Sequence, residues 1–423
     1  FSKVEFTKEM GKDYTLLVPQ MAPDHFEILK ESLDSDGLRV EFLTEINREV
    51  ENEGLTYVNN DACYPSITVV GQLMHAVKSG KYDVNKIALV MTQTGGACRA
   101  SNYVGFIRKA VAEAGYPQIP VVALSAQGIE SSPGFSISLK GLHKAVISLL
   151  YGDLIVRVSN ETRPYEKIKG STEILKRRWI QKVKKDVRHH KMADFKRNVK
   201  AIVNEFERLE TTGEKKPRVG IVGEILVKFL PEANNHLQRT LEEEGAEVLV
   251  PDLTDFFMYS FRNATHKWRL LSKGYGMKLA ADLGIKYIEH YRGIIREALE
   301  NSRFDAPLQI EKLETYAQEF VSLGNQYGEG WLLTAEMVEL IHMGAENIVC
   351  VQPFGCLPNH ITGKGVIKAI RSAYPKANII PIDYDPGASE VNQVNRIRLM
   401  LSQARDNVKE SVRKQKKSKV EGK

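Results

Sequence analysis

Residues 86–125 read KIALVMTQTGGACRASNYVGFIRKAVAEAGYPQIPVVALS, and this stretch decides the fold. Lys86–Thr92 is a continuous apolar run of strand length, the kind a parallel sheet buries on both faces. Gly95-Gly96 marks a tight turn, after which Cys98 leads into NYVGFIRKAVAEAG, apolar at helical spacing and closed by a glycine. Pro120–Ser125 (PVVALS) is a second buried strand. Strand, turn, helix and parallel strand is the repeating unit of α/β proteins.

The same alternation extends towards the start of the chain. Tyr14–Pro19 (YTLLVP) and Val40–Leu43 (VEFL) are predicted strands, with HFEILKESL as a helix between them. Cys63 precedes Pro65 and the amphipathic stretch ITVVGQLMHAVKSG, which closes on Gly80. Proline in the first turn and glycine at the end are ordinary helix punctuation. From about 160 to 212 the pattern is helical and rich in Lys, Arg and Glu, ending in the linker-like TTGEKKP. A second α/β unit begins at Arg218 with the strand RVGIVGEI, the helix NNHLQRTLEEEG and the strand AEVLVP. A long helical, aromatic-rich stretch follows. The α/β pattern then resumes through ENIVCVQPFG, GKGVIKAIRSAYP and ANIIPIDYD, before a last helix from Glu390. The expected organisation is a first α/β domain over 1–158, a helical bridge over 159–214, a second α/β domain over 215–405 with a helical insertion at 254–320, and a basic tail over 406–423.

The chain has 423 residues, 43% hydrophobic and 26% charged, the balance of a globular protein of two or three domains. No apolar run approaches the roughly 18–20 residues that span a bilayer, and no signal peptide opens the chain. It begins with Phe1 rather than Met, which fits a trimmed chain or a piece of a longer polypeptide. The net charge of +6 gathers over 162–200 and in KESVRKQKKSKVEGK at the end, which reads as a solvated terminus. No nucleic-acid-binding motif accompanies it, so neither nucleic acid nor membrane is an expected partner. Four cysteines are too few for a disulfide-built secreted protein and point to a reducing cytoplasm.

Three of those cysteines share one expected address. Cys63, Cys98 and Cys356 are each placed beyond the carboxyl end of a strand and ahead of a helix, the edge where open parallel sheets bind ligands. The helix N-terminus behind each would favour a thiolate. Cys350, inside the apolar strand IVCV, reads as a small buried hydrophobe, with a ligand role left open. Zinc is a rival occupant, but zinc sites favour paired ligands such as CxxC, which are missing here. Separate cysteines converging between domains suit an iron–sulfur cluster, whose usual ligands are thiolates. Glu224, at the end of RVGIVGEI, is either a helix cap or a group facing the ligand, and it is the one weak catalytic candidate. DYDPGASE (383–390) is an acidic turn at the same edge. GCLPNHITGKG lacks the spacing and the Ser or Thr of a phosphate loop, and RVGIVGEI lacks the third glycine of a dinucleotide fingerprint.

NNDACYPSITVVGQL, MTQTGGACRASNY and CVQPFGCLPNHITGKG together resemble the 2-hydroxyacyl-CoA dehydratase family, more closely its activase-related branch, over about residues 13–405. The resemblance implies Rossmann-like or flavodoxin-like lobes that cradle a 4Fe–4S cluster, or in some members an 8Fe–9S double cubane. It also implies an ATP-hydrolysing iron–sulfur activator protein or domain that delivers electrons at very low potential, and a small-molecule substrate to be reduced or dehydrated at an open iron. Carried over, the ligands are Cys63, Cys98 and Cys356, with Cys350 as an added possibility. No CoA-binding motif is present. A double cubane held by six thiolates would need two chains, hence an expected homodimer or paired subunit. An electron-relay or cluster-storage module, with every iron closed by protein ligands, is the alternative.

Overall fold

A computed structural model describes residues 3–125, 130 and 132–421. The chain is α/β, and the described residues form two four-stranded, all-parallel sheets of Rossmann- or flavodoxin-like type. The first holds β1 (Thr15–Pro19), β2 (Arg39–Leu43), β3 (Ile87–Gln93) and β4 (Val121–Ser125) in the order β2-β1-β3-β4. Its helices are α1 (Met10–Asp13), α2 (Pro23–Asp34), α3 (Arg48–Tyr57), α4 (Tyr64–Lys78) and α5 (Tyr103–Glu113). Three long helices follow: α6 (Leu139–Thr162), α7 (Ser171–Arg188) and α8 (Phe195–Glu207). The second sheet holds β5 (Arg218–Gly223), β6 (Glu247–Leu249), β7 (Asn347–Pro353) and β8 (Asn378–Tyr384) in the order β6-β5-β7-β8. Between β5 and β7 run α9 (Ile225–Phe229), α10 (Leu237–Glu243), α11 (Leu253–Leu271), α12 (Tyr275–Glu300), α13 (Ile310–Gln318) and α14 (Gly330–His342). Then come α15 (Ile367–Ala373) and α16 (Glu390–Glu421).

Both sheets therefore have the same winding. In each, the chain reverses its direction of travel across the sheet between the first and third strands, β1/β3 and β5/β7, the place where such sheets bind ligands at their carboxyl ends. β7 is buried along its whole length, which explains its unbroken apolar run. Apolar side chains of both units share one core: Leu17, Ile67 and Val104 belong to the same cluster as Val219, Ile221 and Val349. Tyr151, Trp179 and Phe206 of the long helices join Trp331 and Ile348 in a second. Among the described residues no helix is long and apolar enough to cross a membrane.

Three expectations change. First, Cys63 does not follow a strand: β2 ends at Leu43, and α3 precedes the turn that carries the cysteine. Asn47 starts α3 by accepting the N–H groups of Glu49 (2.9 Å) and Val50 (3.1 Å). Gly54 of α3 and Gly71 of α4 let the two backbones touch. A Cβ on Gly71 would stand 3.0 Å from the Val50 carbonyl carbon, and one on Gly54 2.9 Å from that of Ile67. Second, the bridging helices begin with α6 at Leu139, earlier than 159. Third, the last helix continues into the basic end. α16 runs unbroken to Glu421, as its Lys, Arg, Gln and Glu content favours, while residues 422–423 lie outside the described residues.

Candidate functional site

Three turns carry the thiols. β3 ends at Gln93, and Cys98 opens a short 3-10 turn (Arg99–Ser101) ahead of α5. β7 ends at Pro353, and Cys356 opens a π-type turn (Asn359–Gly363). Cys63 is the N-cap residue of α4, with extended backbone and Pro65 behind it. The Ser66 hydroxyl donates to the Cys63 carbonyl at 2.7 Å and holds that turn closed.

The structure brings these turns together. Gly355 has φ +72°, and a Cβ there would meet Asp61 O at 3.2 Å and Cys63 N at 3.5 Å, so the Cys356 turn lies directly on the Cys63 turn. Gly328 (φ +57°) sits between the other two: its Cβ position is 2.9 Å from Pro358 Cγ and 3.7 Å from Cys98 Sγ. Only glycine combines that left-handed backbone with such close approach. Tyr103, the first residue of α5, reaches Cys63 Sγ with its hydroxyl at 3.1 Å. The Asn359 amide Nδ2 stands 3.4 Å from Cys356 Sγ.

Two buried carboxyls complete the arrangement. Glu224 is the N-cap of α9, and its side chain accepts the Val227 N–H at 2.9 Å. It also lies close enough to Cys63, Cys98 and Cys356 that its charge, when present, would act on all three. Glu329, in the loop before α14, accepts the Ile225 N–H at 3.0 Å and Asn359 Nδ2 at 3.2 Å. It bears on Cys98 and Cys356.

The electrostatics follow from burial. Removal from water pushes the Cys63 thiol up to about 11, partly offset by the Tyr103 hydrogen bond. Burial and Glu329 push Cys98 up to about 12. Burial, Glu329 and Glu224 hold Cys356 well above the ordinary thiol range. Glu224 is likewise held far above the carboxylate range by burial and then by Glu329. Burial raises Glu329 as well. Five acidic groups thus share one place, with Lys228 as the cation that pulls both carboxyls back down. Lys228 is itself paired with buried Glu336 at 2.7 Å. Left alone, the three thiols keep their protons at neutral pH; a cationic occupant would displace them and balance the charge.

The donor set can be tested against a metal group. Among the described residues no three His, Cys, Asp or Glu side chains gather closely enough to hold a metal ion. A tetrahedral zinc with bonds of about 2.3 Å needs sulfurs about 3.7 Å apart, so the trio does not make a zinc site. Three thiols on turns that abut are of the residue type that ligates a polynuclear thiolate-bound cluster. Cys350 stands apart. It is fully buried, its Sγ is 3.3 Å from the Cβ position of Gly363, and the groups acting on it are Glu336, Asp383 and Glu329 rather than another thiol. In the 383–390 turn, Asp385 is occupied by the Gly387 N–H at 2.6 Å, which makes it a loop-forming group.

Sequence reading missed Tyr103, Asn359 and Glu329. The signal for Glu329 was GNQYGEG (324–330), three glycines in seven residues between two helices. The chain crosses the site there, with the Tyr327 ring packed against Gly96. No protein-family model matches the chain, and no curated protein is significantly similar to it. The likeness to the dehydratase family rests on the three cysteine motifs.

Proposed function

We propose that Cys63, Cys98 and Cys356 hold an iron–sulfur cluster, and that the protein uses it to reduce or dehydrate a small molecule with low-potential electrons from an ATP-hydrolysing iron–sulfur activator. One observation carries the reading: three turns from distant parts of the chain abut, and each contributes a thiol. When bound, the cluster supplies electron storage and, with three protein ligands, one iron open to substrate. The chain's own groups do the rest. Tyr103 and Asn359 orient and solvate two sulfurs, the 324–330 loop covers the Cys98 side, and Glu224 and Glu329 place proton-bearing groups beside the open position. A closed electron relay would need Cys350 as a fourth ligand, and Cys350 lies fully buried within β7. All four cysteines are free thiols, as a protein of the reducing cytoplasm would keep them. A double cubane on six thiolates would call for a homodimer or a paired subunit.

Anaerobic purification with iron and sulfide reconstitution tests the proposal. The expected product is brown, with about four irons per chain and an EPR signal on reduction. Serine at any of the three positions should lower the iron content, while Cys350→Ser should not. A colourless chain that takes up no iron, or one in which Cys350→Ser alone abolishes uptake, would sink the assignment.

A further inference from the structure

The three sulfurs are not served equally. Cys63 Sγ faces the Tyr103 hydroxyl at 3.1 Å, and Cys356 Sγ faces Asn359 Nδ2 at 3.4 Å. Among the described residues no side chain donates to Cys98 Sγ, which is served by the Ala100 backbone N–H. Cys98 is also the least buried of the three.

Both donors are held in place. The Tyr103 ring is 5% exposed and belongs to the apolar core, while its hydroxyl points at the sulfur. Against a thiolate, which can only accept, Tyr103 is the donor. Asn359 is fully buried. Its Nδ2 is shared between Cys356 Sγ and Glu329 Oε2, and its Oδ1 has no partner. A buried acceptor without a partner costs about 1–3 kcal/mol. The amide therefore keeps its N–H side towards the sulfur and the carboxyl at the expense of its own oxygen.

We propose that Tyr103 and Asn359 are positioning residues that raise the reduction potential of the group held by the thiols. This rests on the cluster reading above. A hydrogen bond to a ligating sulfur stabilises the electron-rich state more than the electron-poor one, and a water-poor site enlarges the difference. A group held by the three thiols would therefore be easier to reduce with both donors in place.

The test uses the full chain, reconstituted anaerobically, with midpoint potentials read by EPR-monitored redox titration. Tyr103→Phe removes one oxygen and leaves the ring in the core. Asn359→Leu removes the second donor at similar volume. Both variants are expected to keep the wild-type iron content and to titrate at a more negative potential, with the shifts adding in the double variant. Ser101→Ala removes the hydrogen bond from Ser101 to Gly96 O (3.1 Å), which reaches no sulfur, and should leave the potential unchanged. Fully loaded Tyr103→Phe and Asn359→Leu chains with unchanged or higher potentials overturn the proposal alone. A wild-type chain that takes up no iron overturns it together with the cluster reading.

Discussion

Lys228→Met should destabilise the protein in a strongly pH-dependent way. Lys228 Nζ lies 2.7 Å from Glu336 Oε1, and the two side chains are 4% and 3% exposed. Removing the lysine leaves a carboxylate in the interior with no counter-charge. Glu336 must then either stay ionised and unpaired, at about 3–5 kcal/mol, or take up a proton. The second route sets the ceiling. Holding a carboxyl of ordinary value 4.5 protonated at pH 7.5 costs three units of about 1.36 kcal/mol each, or about 4 kcal/mol relative to the unfolded chain. Burial already raises Glu336 in the intact protein, so the measured loss should lie somewhat below that ceiling. The sign is fixed. A carboxyl raised in the folded state contributes its full stability below the unfolded value and loses it as pH climbs. The deficit should therefore be about 2–4 kcal/mol at pH 7.5 and under about 1 kcal/mol at pH 5.0. Urea unfolding followed by circular dichroism at both pH values measures it, and Lys228→Met with Glu336→Gln should recover most of the loss at pH 7.5. Equal losses at the two pH values, or a loss below about 1 kcal/mol at pH 7.5, would refute the reasoning.

Three further outcomes follow from other sites. Burial and then Asp305 push Glu161 up to about 8, so the folded chain holds a proton there that the unfolded chain releases. Wild-type stability should fall between pH 5 and pH 9, and Glu161→Gln should flatten that fall by a few kcal/mol, read as melting temperature against pH. Gly355→Val puts a β-branched side chain at φ +72° and 3.2 Å from Asp61 O, so it should cost about 2–3 kcal/mol and part the Cys63 and Cys356 turns, read as lower stability and lower iron retention on reconstitution. Asn47→Ala removes the two hydrogen bonds that start α3 and should cost about 1 kcal/mol by urea unfolding, with no change in the potential of a loaded chain.

The strands were readable because parallel sheets bury both faces, so Lys86–Thr92 and the IVCV run announce themselves as unbroken apolar segments. Cys98 and Cys356 were readable for the same reason, since each follows such a run after a glycine. Cys63 was misplaced after a strand because REVENEGLTY carries Gly54, which locally looks like a turn. That glycine is there to admit the Ile67 backbone of α4, a demand visible only once the two helices cross. Glu329 was missed because its burial belongs to the folded protein: nothing in GNQYGEG says that a carboxyl there lies under two thiols. Glu224 was seen but left between two readings, and its place as the N-cap of α9 is the one the backbone geometry decides. Cys350 and Cys356 are near neighbours in sequence, yet the first faces Gly363 and Leu333 inside the core while the second has left the strand.

The division of the thiols among three turns has a consequence in time. Cys63 and Cys98 are made before Cys356, with both turns complete once α5 and β4 have formed. The third side of their site is β7, made only after the long helices and most of the second sheet. Whatever occupies the site has no finished cradle until β7 and the turn after it have been made, so its delivery follows theirs. A truncated product ending before Cys356 would carry two thiols with nothing to share.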